Sequence, residues 1–243
     1  MATEDGGWEN AASAYRDVIN DPTGDSAYLR DNGLKPNILE LLGDSPANHV
    51  LDVGCGDGWL FDTIKPANGI ECDLVESVRR PRQWPFSLED VSELSFEDGV
   101  FDLIVTSLVL IWVEDLARAC TELYRVAADD AVLVISIMHP AFYRMGRVQE
   151  SGDVLIQENY NDRRVISDLR IANKVGPFRY YHRPLSDYVN ALVNAGWPLE
   201  ELREWAMDAD DYRQRFPELR PDDRQRTGRL PLYAFIKCKK IPR

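Results

Sequence analysis

The stretch Val50-Leu51-Asp52-Val53-Gly54-Cys55-Gly56-Asp57-Gly58 constrains this chain more than any other, because a short apolar strand runs straight into three glycines at alternate positions. Side chains at Gly54, Gly56 and Gly58 would hinder a sharp turn and keep the backbone away from a ligand, whereas glycine permits φ > 0 and close approach. Trp59-Leu60-Phe61 follows at once, and a helix starting there points its free N–H groups back over the same crevice. A strand, a turn made for contact and a helix suit a nucleotide-like ligand.

The flanking periodicity extends this unit into an α/β domain. Ala11, Ala14, Tyr15, Val18 and Ile19 fall at helical spacing and predict a helix ahead of the core, and Leu34 to Leu42 predicts a second that ends at Gly43. Strand, helix and strand follow over 49–54, 59–65 and 67–72, with short strands near 85–88 and 101–106, the rhythm of a parallel sheet. Leu116, Ala119, Cys120, Leu123 and Ala127 share a helical face. The nearly unbroken apolar run from Ala131 to Met138 implies a strand buried on both faces. Residues 141–181 mix Arg, Tyr, Asn and Gly and read as an insertion over the strand ends. Leu185, Tyr188, Val189, Leu192 and Val193 restore a helix closed by Gly196. Strands near 199–206 and 231–238 complete the sheet, separated by a charged loop over 208–229. At 243 residues one domain is the economical count. It divides into a helical lid about 8–30, a core about 34–140, a cap about 141–183 and C-terminal elements about 184–240.

Composition narrows the partners. The net charge of −13 comes from 41 acidic against 28 basic residues, a balance that repels phosphate backbones and argues against nucleic acid. Met1-Ala2-Thr3-Glu4-Asp5 lacks the character of a secretion signal, and no run approaches the roughly 18 apolar residues of a membrane span, so a cytoplasmic protein with no membrane partner is expected. Cys55, Cys72, Cys120 and Cys238 are widely spaced, and His49, His139 and His182 are the three histidines, so neither a metal nor a disulfide frame is indicated.

The Gly-x-Gly-x-Gly spacing followed by Trp59 departs from the Gly-x-Gly-x-x-Gly of dinucleotide dehydrogenases. It resembles, residue for residue, the first motif of the class I S-adenosylmethionine-dependent methyltransferases. Asn68-Gly69-Ile70-Glu71-Cys72-Asp73 resembles their second strand, Asp90 to Val105 their adenine-site block, Thr106-Ser107-Leu108-Val109-Leu110 the loop after their fourth strand, and Glu122 to Val126 the helix end before their fifth. Ser95 stands where many relatives have proline, and Ala128-Asp129-Asp130 replaces a Pro-Gly-Gly turn. The resemblance implies a Rossmann-like, doubly wound, seven-stranded and mostly parallel sheet whose last strand is antiparallel, with a helical lid and a cap insertion. It implies S-adenosylmethionine as cofactor. Asp52 would orient the glycine loop of Gly54, Cys55, Gly56 and Gly58. Glu71, beside Cys72, would accept from the ribose hydroxyls, with Asp73 as the alternative; a carboxylate suits a diol because two oxygens accept in a fork. Asp90 would accept from the adenine amino group and Val91 would wall the ring. Thr106, Ser107 and Leu108 would line the methionine end. Tyr15 and Tyr28 resemble lid residues, and Arg30 would pair with the cofactor carboxylate.

The acceptor is less constrained by sequence. The expected partner is a small molecule methylated on oxygen or nitrogen, as in secondary metabolism, and a homodimer stays open. An O–H or N–H acceptor requires a base, and His139, just after the fifth strand, is the candidate, its other reading being a strand cap. His182, Tyr143, Tyr181 and Trp112 complete the expected acceptor wall, with packing as the competing reading for the aromatic residues and, for His182, a hydrogen bond that fixes the cap to the core. Two further readings stay open: a lyase or cyclase that binds the same cofactor without transferring methyl, and a non-catalytic binding partner.

Overall fold

The N-terminal apolar face folds as helix α1 (Trp8–Asn20), turned slightly from expectation: Ala11 and Ala12 are buried, while Ala14 is exposed. The computed structural model describes residues 7–45, 48–76, 84–142, 146–148, 154–156, 159–171, 175–208, 210–211, 214 and 230–241. Tyr143 and most of the charged stretch 208–229 lie outside them. Helix α2 (Asp25–Leu29) passes through a π-helical turn (Arg30–Leu34) into α3 (Lys35–Leu42), which stops at Gly43 with φ +50° as its spacing predicted. Pro36 sits in the first turn of α3, where a missing N–H costs nothing.

The next segment alternates as expected: β1 (Val50–Val53), α4 (Trp59–Ile64), β2 (Gly69–Asp73), β3 (Phe86–Leu88), β4 (Phe101–Ser107), α5 (Leu116–Val126) and β5 (Ala127–Met138). Two antiparallel hairpins, β6 (Gly146–Val148) with β7 (Val154–Ile156) and β8 (Arg164–Ile171) with β9 (Val175–His182), form the insertion. Then α6 (Leu185–Ala195) ends on Gly196 in the left-handed region, and β10 (Leu199–Trp205) and β11 (Tyr233–Lys239) close the sheet.

Seven strands form one sheet in the order β10-β11-β5-β4-β1-β2-β3. All pairs from β5 to β3 are parallel, and β11 runs antiparallel to both β5 and β10. This is the expected seven-stranded α/β fold. Alternate side chains of the central strands enter two cores: Ile104, Leu133, Ile135 and Ile137 pack with α5 and α6 residues, and Leu103, Val105, Val132 and Val134 with α3 and α4 residues. Continuous apolarity in β5 therefore reports burial on both faces. Where a Pro-Gly-Gly turn was missing, β5 carries an irregularity: Phe101 pairs with Ala127 and Leu103 with Val132, so extra residues bulge out, with Asp130 at φ +63°. Strand order reverses between β1 and β4, and this switch point puts a crevice over their C-terminal ends.

Candidate functional site

A cavity of about 730 Å³ lies over those strand ends, in the size range of small-molecule sites. Its floor comes from the residues that leave each parallel strand: Gly54, Cys55 and Gly56 after β1, Asp73 at the end of β2, Asp90 and Val91 after β3, Ser107 and Leu108 after β4, and Met138 at the end of β5. Its roof comes from α1, α2 and the π-turn through Trp8, Tyr15, Ile19, Leu29 and Arg30. One end is walled by Trp112, Glu114, Arg179 and Tyr181.

The glycine loop is held from beneath. The N–H groups of Gly54 and Cys55 both donate to the Cys72 carbonyl, at 2.8 and 3.0 Å, and Gly56 N–H donates to Asp73 Oδ2 at 2.9 Å. Gly54, Gly56 and Gly58 all have positive φ, but for different surroundings. A Cβ on Gly54 would come within 2.1 Å of Val109 Cγ2, whereas a Cβ on Gly56 would meet nothing within 4 Å. Gly54 is thus required by the protein's own packing. Gly56 borders open space inside the cavity, the arrangement of a backbone kept bare for a ligand. Gly58 begins α4 and does not line the cavity.

The second strand places its two candidate acids differently. Glu71 is fully buried and does not line the cavity; Asp73, the alternative, does. The two share a face of β2, but a strand advances roughly 3.3 Å per residue, so Glu71 sits about 6–7 Å lower. Burial raises the Asp73 pKa, and the N–H groups of Gly56, Val75 and Leu74 only partly offset this. Cys72 is likewise buried under the loop and serves it through its carbonyl, and Thr106 is buried within β4; neither side chain reaches the cavity. Asp52 and Cys55 are buried but do line it.

At the β3 end, Asp90 Oδ1 accepts from Ser92 N–H at 2.7 Å, fixing the turn beside Val91. Glu89, which the sequence reading passed over, explains Ser95: its carboxylate accepts from Ser95 Oγ at 2.6 Å, Ser95 N–H at 3.0 Å and Ser87 Oγ at 2.5 Å. Burial works against its ionisation, but those donors outweigh it and hold its pKa below the usual carboxylate value. Arg125 anchors the same segment, donating to the Leu94 and Phe96 carbonyls and to Asp98 and Glu122, all at 2.7 Å.

The roof brings a second missed residue into play. Asp57 is buried on the cavity wall, 3.9 Å from Arg30 Nη1. Tyr15 faces it: burial first, then the Asp57 and Asp73 carboxylates, push the phenol pKa far up, so Tyr15 remains a neutral hydroxyl. Arg30 also donates to the Ile19 carbonyl at 3.1 Å, tying α1 to the π-turn. Tyr28 turns elsewhere: its hydroxyl donates to Asp211 Oδ2 at 2.6 Å, and it is not part of the cavity wall.

The histidines also depart from expectation. His139 is 4 % exposed and off the cavity. Its Nδ1 accepts from Ala141 N–H at 3.3 Å, which leaves the proton on Nε2 to be donated to Glu204 Oε1 at 2.5 Å, and its ring stacks on Phe142. Both nitrogens are engaged, and the Nε2 bond joins the end of β5 to β10. His182 is buried and donates from Nε2 to the Tyr160 carbonyl at 3.0 Å, and the Tyr160 hydroxyl accepts from Leu185 N–H at 2.7 Å at the start of α6. Burial lowers its pKa. Trp112 and Tyr181 do line the cavity. Trp112 belongs to a ring cluster with Trp8, Phe178 and Tyr180, and the Tyr181 hydroxyl donates to Glu114 Oε2 at 3.0 Å.

A methyltransferase domain family matches residues 27–216. The chain belongs to that family. This bears out the class I S-adenosylmethionine-dependent methyltransferase resemblance, and S-adenosylmethionine is the cofactor of the family. A malonyl-[acyl-carrier protein] O-methyltransferase of Serratia marcescens is 29 % identical over 150 residues, 58 % of this chain and 56 % of that protein, so the chain spans little more than half of that relative. An uncharacterized protein of Haemophilus influenzae is 24 % identical over 234 residues, covering 85 % of this chain and 87 % of the other. A solved S-adenosylmethionine-dependent methyltransferase from Mesorhizobium loti superposes with a TM-score of 0.67 at 22 % identity, covering 84 % of this chain and 96 % of the other. The methyltransferase's described helices include none long and apolar enough to cross a membrane.

Proposed function

We propose that this methyltransferase transfers a methyl group from S-adenosylmethionine to an oxygen or nitrogen atom of a small metabolite. One observation carries the reading: a single cavity runs from the bare backbone at Gly56 and the carboxylates of Asp73 and Asp90 to an aromatic end at Trp8, Trp112 and Tyr181. In this reading Asp73 accepts from the ribose hydroxyls, with Gly56 N–H holding one oxygen in place. Asp90 and Val91 receive adenine. Arg30 receives the carboxylate of the methionine tail, and Ser107 and Leu108 border that tail.

Bound there, S-adenosylmethionine supplies a methyl already activated on a sulfonium. What remains for the protein is alignment, worth up to about 7–11 kcal/mol when the reacting pair is held near attack geometry. Trp8, Trp112 and Tyr181 exclude water and present ring faces that suit a cationic sulfur. None of the three histidines lines the cavity, and an acceptor atom that is already ionised needs no base from its walls. The O-methyltransferase relative makes oxygen the better supported atom.

Calorimetric titration with S-adenosylhomocysteine beside NAD tests the cofactor half. Micromolar binding of the first alone is expected; NAD binding in its place would overturn the reading.

A further inference from the structure

We infer that Arg179, with Tyr181, forms an acceptor subsite that recognises a carboxylate. The inference rests on the methyl-transfer reading of the cavity and goes past it to the class of acceptor.

Arg179 and Tyr181 are two residues apart on β9, hence on one face, and both line the cavity beside Trp112. Among the described residues, two basic side chains line the cavity, Arg30 and Arg179. Arg30, given above to the methionine tail of the cofactor, lies 3.1 Å from Asp31 and 3.9 Å from Asp57. Arg179 differs. Among the described residues no carboxylate lies within ion-pair distance of it, and its polar contact is a long one, Nη1 to the Tyr181 hydroxyl at 3.5 Å. Other arginines of this acidic chain find carboxylates, as Arg125, Arg163 and Arg203 do.

Glu114 is the acidic group facing the same point. Its Oε2 holds the Tyr181 proton, so the phenol stands between the carboxylate and the guanidinium. The guanidinium fork is left to the cavity, and a planar fork is complementary to a planar carboxylate. A phosphate dianion would need more than one cation in a wall so acidic, and the aromatic rings suit a flat or apolar body attached to the acid. A carboxylate is ionised at neutral pH, so it asks no base of walls that carry no histidine.

The test uses the full chain saturated with S-adenosylhomocysteine, titrated calorimetrically at fixed ionic strength with benzoate, its neutral counterpart benzamide, and phenyl phosphate. Benzoate is expected to bind at least about tenfold tighter than benzamide. Arg179→Gln should erase that preference while leaving S-adenosylhomocysteine affinity unchanged, and Glu114→Gln should strengthen benzoate binding. Equal affinities, no binding of either, a preference that survives Arg179→Gln, or tighter binding of phenyl phosphate would each overturn the inference. The titrations repeated without S-adenosylhomocysteine separate the two readings: failure of that compound to bind strikes the methyl-transfer reading, while the benzoate preference reports on Arg179 alone.

Discussion

The two ends of the cavity are built differently. At the glycine loop, the polar groups come from consecutive strand ends and are tied to one another by backbone hydrogen bonds: Gly54 and Cys55 to Cys72, and Gly56 to Asp73. At the aromatic end, the wall is assembled from Trp8, Trp112, Arg179 and Tyr181, drawn from α1, the β4–α5 loop and the inserted hairpin. The first end is fixed by the sheet and, in the proposed reading, serves the cofactor that the family shares. The second hangs on packing between separate pieces, which lets acceptor preference change without disturbing the cofactor floor.

The largest effect that would break this contrast is at Gly54. Gly54→Ala combines a left-handed residue with a contact at 2.1 Å to Val109, and should cost about 2–5 kcal/mol of stability by urea denaturation. Gly56→Ala has the same backbone strain but no protein contact, so it should cost only about 1–2 kcal/mol while abolishing S-adenosylhomocysteine binding. Equal stability losses with binding intact in the Gly56 variant would show that the open space there is not for the cofactor.

Next comes the choice of carboxylate. Asp73→Asn should weaken S-adenosylhomocysteine by about 1.5–3 kcal/mol through loss of charge-assisted ribose bonds, whereas Glu71→Gln should alter stability and not affinity. Titration with pH sharpens this. Because burial raises the Asp73 pKa above 3.8, the ionised acceptor disappears at a higher pH than for an ordinary aspartate as the solution is acidified. Affinity should therefore fall through that raised value in the native protein, and the Asn variant should lack that step. The reverse pattern between positions 71 and 73 would return Glu71 to the ribose.

His139→Gln should cost about 1 kcal/mol of stability, since its partner Glu204 is half exposed and screened. It should leave S-adenosylhomocysteine affinity unchanged. A selective loss of binding with unaltered stability would place the ring back in the cavity.

The same contrast explains what could be read from the sequence. The floor was legible because its residues are neighbours along the chain: strand, glycines, helix, then an acid at each following strand end. The choice between Glu71 and Asp73 turns on strand length, since a strand that ends later carries the rim further along the chain. His139 looked catalytic because it follows β5, but its partner, Glu204, is 65 residues away on β10, and no local pattern announces that contact. Arg179 was invisible for a related reason. Its meaning depends on Glu114 being engaged by Tyr181, a bond that spans 67 residues. Ser95 was seen as a departure from the proline of relatives, and the structure gives it a task in holding Glu89.

The smallest expected effect tests whether the inserted hairpin responds to pH apart from the sheet. Burial, and to a lesser degree Arg164, lowers the His182 pKa below 6.5 against the pull of the Tyr160 carbonyl, Asp162 and Asp187. The unfolded chain therefore takes up this proton at higher pH than the folded one. Stability from the neutral ring is fully present above about 6.5 and is lost as pH falls through the lowered folded value. The β8–β9 hairpin should feel this first, because the ring at the end of β9 holds Tyr160, whose hydroxyl accepts from Leu185 N–H of α6, and a doubly protonated ring would have to remain buried there. Hydrogen exchange compared at pH 7.5 and pH 5.5, corrected for intrinsic rates, should show lost protection in β9 and none in β1, and His182→Gln should remove the difference. Equal loss in both strands would mean that the two ends of the cavity open together, and that the acceptor wall is no more independent of the floor than the strands are of each other.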